Sequence, residues 1–188
     1  MKRIDMLVDV DEVLADFQTP AFEAILKVTG RRYTQTDFTV WNIFECLAPE
    51  EMKELDTILE TAGFCASLLP KPGAIEGINA IREFADVYVV TSPQHNRHWV
   101  YERCEWLQDH FQIDRRHVFH AHAKWKVHGD AFLDDRPEHV AEWAAKHPDK
   151  LSMLWHIPNT RTLGQGLLRV FTWDEVIDHV RKQAEATR

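Results

Sequence analysis

Met6-Leu7-Val8-Asp9-Val10-Asp11 is the stretch from which the rest of the chain can be read: an apolar run that ends in two carboxylates spaced i, i+2. Residues 3–9 read as a buried strand. Strand residues two apart can face the same way, so the spacing can aim one carboxylate as a nucleophile and leave the other beside it as an acid. That arrangement suits phosphoryl transfer, provided a cation and a phosphate cradle are found elsewhere. Taken alone, the pair is equally an acidic strand ending or a helix cap.

Outward from this strand, Phe17, Phe22, Ile25 and Leu26 give a helical stripe that stops near Gly30. From about Arg31 to Lys71 the strand signal disappears, and Pro49-Glu50-Glu51 followed by Met52, Leu55, Ile58 and Leu59 predicts an amphipathic helix in a small helical insertion. Pro70-Lys71-Pro72-Gly73 closes it. Alternation then resumes. Ile75, Ile78 and Ile81 mark a helix, Val87-Tyr88-Val89-Val90 a strand, and Trp99, Cys104, Leu107 and Phe111 another helix. Val118-Phe119, Ala131-Phe132-Leu133 and Leu151-Ser152-Met153-Leu154-Trp155 are further strands. Pro137 opens one more helix, and Thr172 with Glu175 makes a capping-box signature for a last one. Strands alternating with helices imply an α/β fold with a parallel sheet covered on both faces. The expected organisation is a core of residues 1–16 and 72–188, with residues 17–71 as a small helical cap inserted after the first strand.

At 188 residues and 45% apolar content, the chain fits one domain, or a core with an inserted subdomain. Its formal net charge of −8 argues against a nucleic-acid polymer as partner, because such backbones are held by clustered Lys and Arg. Single nucleotides are not excluded. Cys46, Cys65 and Cys104 are widely spaced and odd in number, which fits packing residues in a reducing compartment. No apolar run approaches the ~20 residues that span a bilayer. Met1-Lys2-Arg3 leads straight into a strand-like segment, so the expected location is cytoplasmic.

In open parallel sheets, ligands bind beyond the carboxyl ends of the strands. The three best strand candidates end in Asp9-Val10-Asp11, Thr91-Ser92 and Asp134-Asp135. Hydroxyls can bind a phosphate oxygen, while carboxylates converging on one rim repel each other unless a hard cation neutralises them; magnesium, an oxygen-seeking ion, is the expected cofactor. Lys124, ten residues before Asp134, supplies positive charge against phosphate and nucleophile. Separately, each has an ordinary alternative: a turn for Thr91-Ser92-Pro93, an N-cap for Asp134-Asp135, a solvated lysine for Lys124. Their order along successive strands is what joins them.

These segments together resemble the haloacid-dehalogenase superfamily of phosphatases. Asp9-Val10-Asp11-Glu12-Val13-Leu14-Ala15-Asp16-Phe17 is similar to its first motif, Thr91-Ser92-Pro93 to its second, Lys124 to its third and Leu133-Asp134-Asp135-Arg136-Pro137 to its fourth. Within it, the chain resembles the 5'(3')-deoxyribonucleotidases through the first motif, Gly63-Phe64 to Pro72-Gly73-Ala74, the lysine-to-aspartate spacing, and His156-Ile157-Pro158-Asn159 ahead of a Trp173 helix. The likeness is weakest around residues 31–60. It implies a Rossmann-like core and a magnesium-dependent phosphomonoester hydrolase. Asp9 would attack phosphorus to give an aspartyl-phosphate and Asp11 would act as general acid and base. Thr91, Ser92 and Lys124 would bind phosphate. Asp9, the Asp11 backbone carbonyl and Asp135 would bind magnesium, with Asp134 on the ion or just behind it. Deoxynucleoside monophosphates are the implied substrates. The alternatives are another small phosphomonoester, such as a sugar phosphate, or a non-catalytic magnesium- or nucleotide-binding protein. No membrane partner is expected, and a homodimer is left open.

One residue departs from the pattern. Many family members carry glycine after the second aspartate, where this chain has Glu12. On a loop whose backbone any residue can adopt, this added carboxylate near the phosphate entrance is read as an exposed surface charge, with substrate selection as the alternative. In the cap, Phe17, Trp41 and Phe64 are candidates to enclose a base, against the alternative that they form the cap's own core. His120-Ala121-His122, with His117 and His128 nearby, offers imidazoles for a transition metal, but no Cys partner or HExxH helix accompanies them, so exposed or capping histidines are expected. Gly164-Gln165-Gly166 reads as a turn.

Overall fold

The run Ile4–Val8 forms strand β1, with Met6 and Val8 packed into one side of the sheet and Leu7 into the other, the two-residue period of a strand buried on both faces. The computed structural model describes residues 3–186; Met1 and Lys2, expected to lead into this strand, and the last two residues of the expected core lie outside the described residues. A tight loop follows β1. The chain then makes a two-residue strand, β2 (Ala15–Asp16), and enters helix α1 (Gln18–Thr29), which ends on Gly30 in the left-handed conformation (φ 71°), with its N–H donated to the Leu26 carbonyl.

Beyond short 3-10 turns at Gln35–Asp37 and Ile43–Cys46 comes helix α2 (Pro49–Leu59). Pro49 fits its first position, where an N–H would go unused, and the Glu51 carboxylate accepts from the Ala48 N–H at 2.8 Å. Leu55 and Leu59 are the buried residues of α2, and α2 packs on α1. The chain returns through β3 (Leu69–Pro70), antiparallel to β2 with Ala15 opposite Pro70 and Asp16 opposite Leu69. This ribbon was not expected from the sequence, because two residues carry no periodicity and proline argues against a strand interior.

From α3 (Ala74–Ile81) the alternation runs as expected through β4 (Ala85–Thr91), α4 (Trp99–Phe111), β5 (Val118–His120), β6 (Ala131–Asp134), α5 (Pro137–Lys146), β7 (Leu151–Trp155), the additional short strand β8 (Arg169–Val170) and α6 (Trp173–Ala186). The last helix is capped as its signature implies: Thr172 Oγ1 accepts from the Glu175 N–H, while the Glu175 carboxylate reaches back to the Phe171 N–H. Gly164 and Gly166 both have positive φ, as a turn requires.

The six-stranded sheet has the order β5-β4-β1-β6-β7-β8 and is parallel throughout. Helices α3, α4 and α6 bury Ile78, Leu107, Phe111, Val176 and Val180 on the face that carries Met6 and Val8. Helix α5 covers the other face with Val140 and Trp143 against Leu7, Phe132 and Leu154. Gly77 of α3 lies so close to Trp173 of α6 that an added Cβ would fall 2.4 Å from the indole ring. The parallel register brings the carboxyl ends of β4, β1 and β6 side by side on one rim. None of the described helices is long and apolar enough to cross a membrane. The three cysteines are free, with Cys65 buried and the other two half-buried.

Candidate active site

The loop after β1 is wound tightly by its own backbone. The Val10 carbonyl accepts from the N–H groups of Leu14 and Ala15 at 2.7 and 2.8 Å, and the Asp9 N–H donates to the Leu133 carbonyl of β6 at 2.9 Å. Asp9 is thereby held at the rim beside the end of β6. Its Oδ1 lies 2.7 Å from the Lys124 ammonium, which lies equally close to Asp134 Oδ2. Lys124 comes from the 3-10 turn Lys124–Lys126 that packs on α5 and is itself 2% exposed. Burial opposes its charge, but Asp134 and Asp9 outweigh burial and raise its pKa.

Asp134 is fully engaged. Its Oδ1 accepts from the Arg136 N–H at 2.8 Å, and its Oδ2 faces both Lys124 and His139 Nδ1. Although burial pushes its carboxyl up, Lys124 and His139 hold it below the usual value. Asp135 has different company. Burial, and then the charges of Asp134 and Asp9, push it well above the usual carboxylate range, while its Oδ2 accepts from Trp41 Nε1 at 2.8 Å. Asp9 is raised to about 6, chiefly by burial and then by Asp134, against the pull of Lys124. One ammonium balances three buried carboxylates, and Asp9, Asp134 and Asp135 offer oxygens that all lie within 4.8 Å of one another. Such an all-oxygen set suits a hard divalent cation, whose charge would relieve the repulsion. Among the described residues no comparable group includes a histidine. His117, His122 and His128 are exposed, and His120 lies 3.6 Å from Cys104 Sγ.

A cavity of about 630 Å3 opens over this rim, lined at its base by Asp9, Asp11, Thr91, Ser92, Lys124 and Asp135. Thr91 Oγ1 is buried and has no hydrogen-bond partner among the described residues, which leaves a hydroxyl at the cavity's base that could bond a ligand oxygen. The Ser92 hydroxyl is instead donated to the Ala121 carbonyl at 3.3 Å. Phe17, Trp41 and Phe44 line the opposite wall. Phe64 does not reach the cavity. Its ring is half-buried and packs on Trp99 and against the edge of Phe17, so the structure corrects the base-enclosing expectation for this residue and sets it against the core beside Phe17.

Glu12 is a second correction. It is 2% exposed rather than a surface charge, and its φ of 63° is in the left-handed region that glycine favours. A residue with a side chain loses about 1 kcal/mol or more there, which contacts elsewhere must offset. Its Oε1 accepts from the N–H groups of Phe17 and Gln18 at 3.0 and 2.7 Å, and its Oε2 from Lys71 Nζ at 2.9 Å and Gln35 Nε2 at 3.2 Å.

Asp11 does not join the carboxylate group. Its Oδ1 meets Arg103 Nη2 at 2.5 Å, and Arg103 is fully buried on α4 between the rings of Trp99 and Trp106. Sequence reasoning missed this arginine, although the signal was present: position 103 falls i+4 from Trp99 and i−4 from Leu107, on the apolar stripe of α4. Asn159 is also buried and donates through Nδ2 to the Val40 and Trp41 carbonyls, which ties the cavity's upper wall to the loop after β7.

The chain is similar to known proteins both in sequence and in fold. The sequence profile of the family described as 5' nucleotidase, deoxy (pyrimidine), cytosolic type C protein matches residues 2–186. A human cytosolic-type 5'(3')-deoxyribonucleotidase is 28% identical over 149 residues, covering 72% of each chain. A mouse mitochondrial 5'(3')-deoxyribonucleotidase is 28% identical over 160 residues, covering 78% of this chain and 70% of the relative. Among solved structures, a haloacid dehalogenase-like hydrolase from Streptococcus pneumoniae superposes with a TM-score of 0.64 at 10% identity, covering 94% of this chain and 98% of that one. A hydrolase from Pseudomonas syringae superposes with a TM-score of 0.54 at 11% identity, covering 96% and 99%. These two show the fold.

Proposed function

The chain belongs to the cytosolic type C family of 5' deoxynucleotidases, phosphatases with a haloacid-dehalogenase-like fold, and from that premise we propose that it is a magnesium-dependent hydrolase of deoxynucleoside monophosphates working through an aspartyl-phosphate. The observation that carries the reading is the convergence of Asp9, Thr91 and Asp135, from neighbouring strand ends, and Lys124, from a 3-10 turn, on one cavity roofed by aromatic rings. The roof belongs to the helical insertion, which acts as a cap over the catalytic rim.

Lys124 holds Asp9 Oδ1, which leaves the other oxygen of that carboxylate to attack phosphorus. As the new P–O bond forms, the bond to the ester oxygen breaks, and Asp11 donates the proton that the departing alkoxide needs. A water molecule then attacks the same phosphorus, gives its proton to Asp11, and releases phosphate with the Asp9 carboxylate restored. Thr91 and Lys124 hold the phosphoryl oxygens throughout, where fixed donors and charge stabilise the transition state. Asp9 and Asp135 would hold magnesium, with Asp134 behind them orienting Lys124; the ion's chemistry is to offset negative charge on the phosphoryl group and the carboxylates. The pocket's aromatic wall of Phe17, Trp41 and Phe44 favours a flat base beyond the sugar.

Phosphate release from deoxynucleoside, ribonucleoside and sugar monophosphates tests this, with and without magnesium. Deoxynucleotides should rank first, activity should need the ion, and Asp9→Asn should lower kcat by at least about a thousandfold. Sugar phosphates ranking level with nucleotides would remove the substrate assignment and leave the phosphatase. Full activity in Asp9→Asn would remove the nucleophile.

A further inference from the structure

Glu12 sits on the catalytic loop, one residue beyond Asp11, and lines the cavity, yet the hydrogen bonds its carboxylate makes among the described residues go to the linkers and the insertion. Its carboxylate grips the cap at three separated points. Phe17 and Gln18, whose N–H groups it accepts, are the first residues after the outgoing ribbon strand β2. Lys71, whose ammonium it pairs, follows the returning strand β3. Gln35 lies in the body of the insertion. Both crossings between core and cap, and the cap itself, therefore meet at one buried side chain.

The backbone makes the choice of residue pointed. At φ 63° glycine would be unstrained, and glutamate is tolerated only because its side chain is fully used. We infer that Glu12 is a positioning residue for substrate selection: it clamps both linkers so that Phe17 and the rings beside it are held over the rim before substrate arrives. On the far side, Asn159 fixes Val40 and Trp41 from the core, so Glu12 is the tie on the hinge side. A preformed roof improves binding of whatever lies beyond the phosphate, because the ordering cost is met before binding. It contributes little to bond cleavage itself. This rests on the phosphatase reading above.

Glu12→Gly is the informative variant, since glycine keeps the loop's conformation and removes the clamp together with its charge; Glu12→Gln keeps one acceptor for the Phe17 and Gln18 amides and loses the charge facing Lys71, so it separates the two. Two measurements are needed: kcat and KM for deoxythymidine 5'-monophosphate and for p-nitrophenyl phosphate, and amide hydrogen exchange by mass spectrometry. In Glu12→Gly the KM for the nucleotide should rise about tenfold or more, with kcat for both substrates within about threefold of wild type, and Glu12→Gln should fall between. Exchange should quicken across residues 17–68 and stay unchanged in the sheet. An unchanged nucleotide KM together with unchanged exchange would overturn the inference, as would an equal loss of kcat on both substrates. If Glu12→Gly fails to fold, Glu12→Gln decides between the same outcomes. If wild type hydrolyses neither substrate, the phosphatase reading falls, while the exchange measurement still judges the clamp.

Discussion

Arg103 is a fully buried cation with few hydrogen bonds. Its Nη2 meets Asp11, while its Nε and Nη1 have no hydrogen-bond partner among the described residues. A buried guanidinium so poorly satisfied does not serve stability well, since burying charge costs more than one ion pair commonly returns. On the proposed mechanism its use is to aim Asp11, which is 22% exposed on its side chain and would otherwise be free to turn in solvent. Arg103→Met keeps the length and apolar contact with Trp99 and Trp106 and deletes the charge. It should lower kcat for phosphate release about 10- to 100-fold, as loss of an oriented general acid does, with KM within about threefold. The melting temperature should hold or rise, because the unsatisfied N–H groups go with the arginine. Steady-state kinetics beside a thermal melt reads both; an unaltered kcat would reduce Arg103 to a packing residue.

At the scale of elements, the two helices that flank one face of the sheet are fitted through a missing side chain. Gly77→Ala would put a Cβ 2.4 Å from the Trp173 ring and force α3 and α6 apart. Overpacking of this kind costs about 1–3 kcal/mol, or roughly 2–12 °C of melting temperature for a chain of this size, with activity per folded molecule preserved. Differential scanning calorimetry checks it. The long elements were readable because each buries a stripe or an alternating face within its own few residues: Met6, Leu7 and Val8 declare a strand, and Ile78 and Ile81 a helix. The two-residue strands β2, β3 and β8 were not, since their pairing is decided by register with residues far along the chain. The same holds inside the site. Asp9 and Asp134 could be lined up from strand endings, and Lys124 from its ten-residue spacing to Asp134, whereas the burial of Glu12 depends on Lys71 and Gln35, 59 and 23 residues away, which no local pattern foretells. As aromatics of the insertion, Phe17 and Phe64 fell in one class, and only packing separates the ring on the cavity from the ring beside it.

Over the whole molecule, the sheet concentrates buried negative charge at one rim and leaves it undercompensated, so stability and ion binding are linked. A carboxyl of ordinary pKa 3.8 in the unfolded chain is raised to about 6 at Asp9 in the folded one, and Asp135 moves the same way. Between those values the folded protein holds the extra protons, so these two groups make the ion-free protein lose stability as pH climbs through that window. Asp134 and Lys124 do not alter this slope: the lowered carboxyl loses its contribution only at more acidic pH, and the raised ammonium only at alkaline pH. Magnesium held at this rim, as proposed, would compete with the same protons and relieve the same repulsion. Its stabilising effect should therefore be larger at about pH 7.5 than at about pH 5, by on the order of 2 kcal/mol, or roughly 4–8 °C. Taking the difference between melts with the ion and with a chelator at each pH cancels histidines such as His120, whose pKa burial lowers and whose effect runs in the opposite direction. Asp135→Asn should melt higher than wild type in chelator, because one of the three crowded charges is gone, and should gain little from the ion at either pH. A magnesium shift independent of pH, or retained in Asp135→Asn, would place the ion away from this rim.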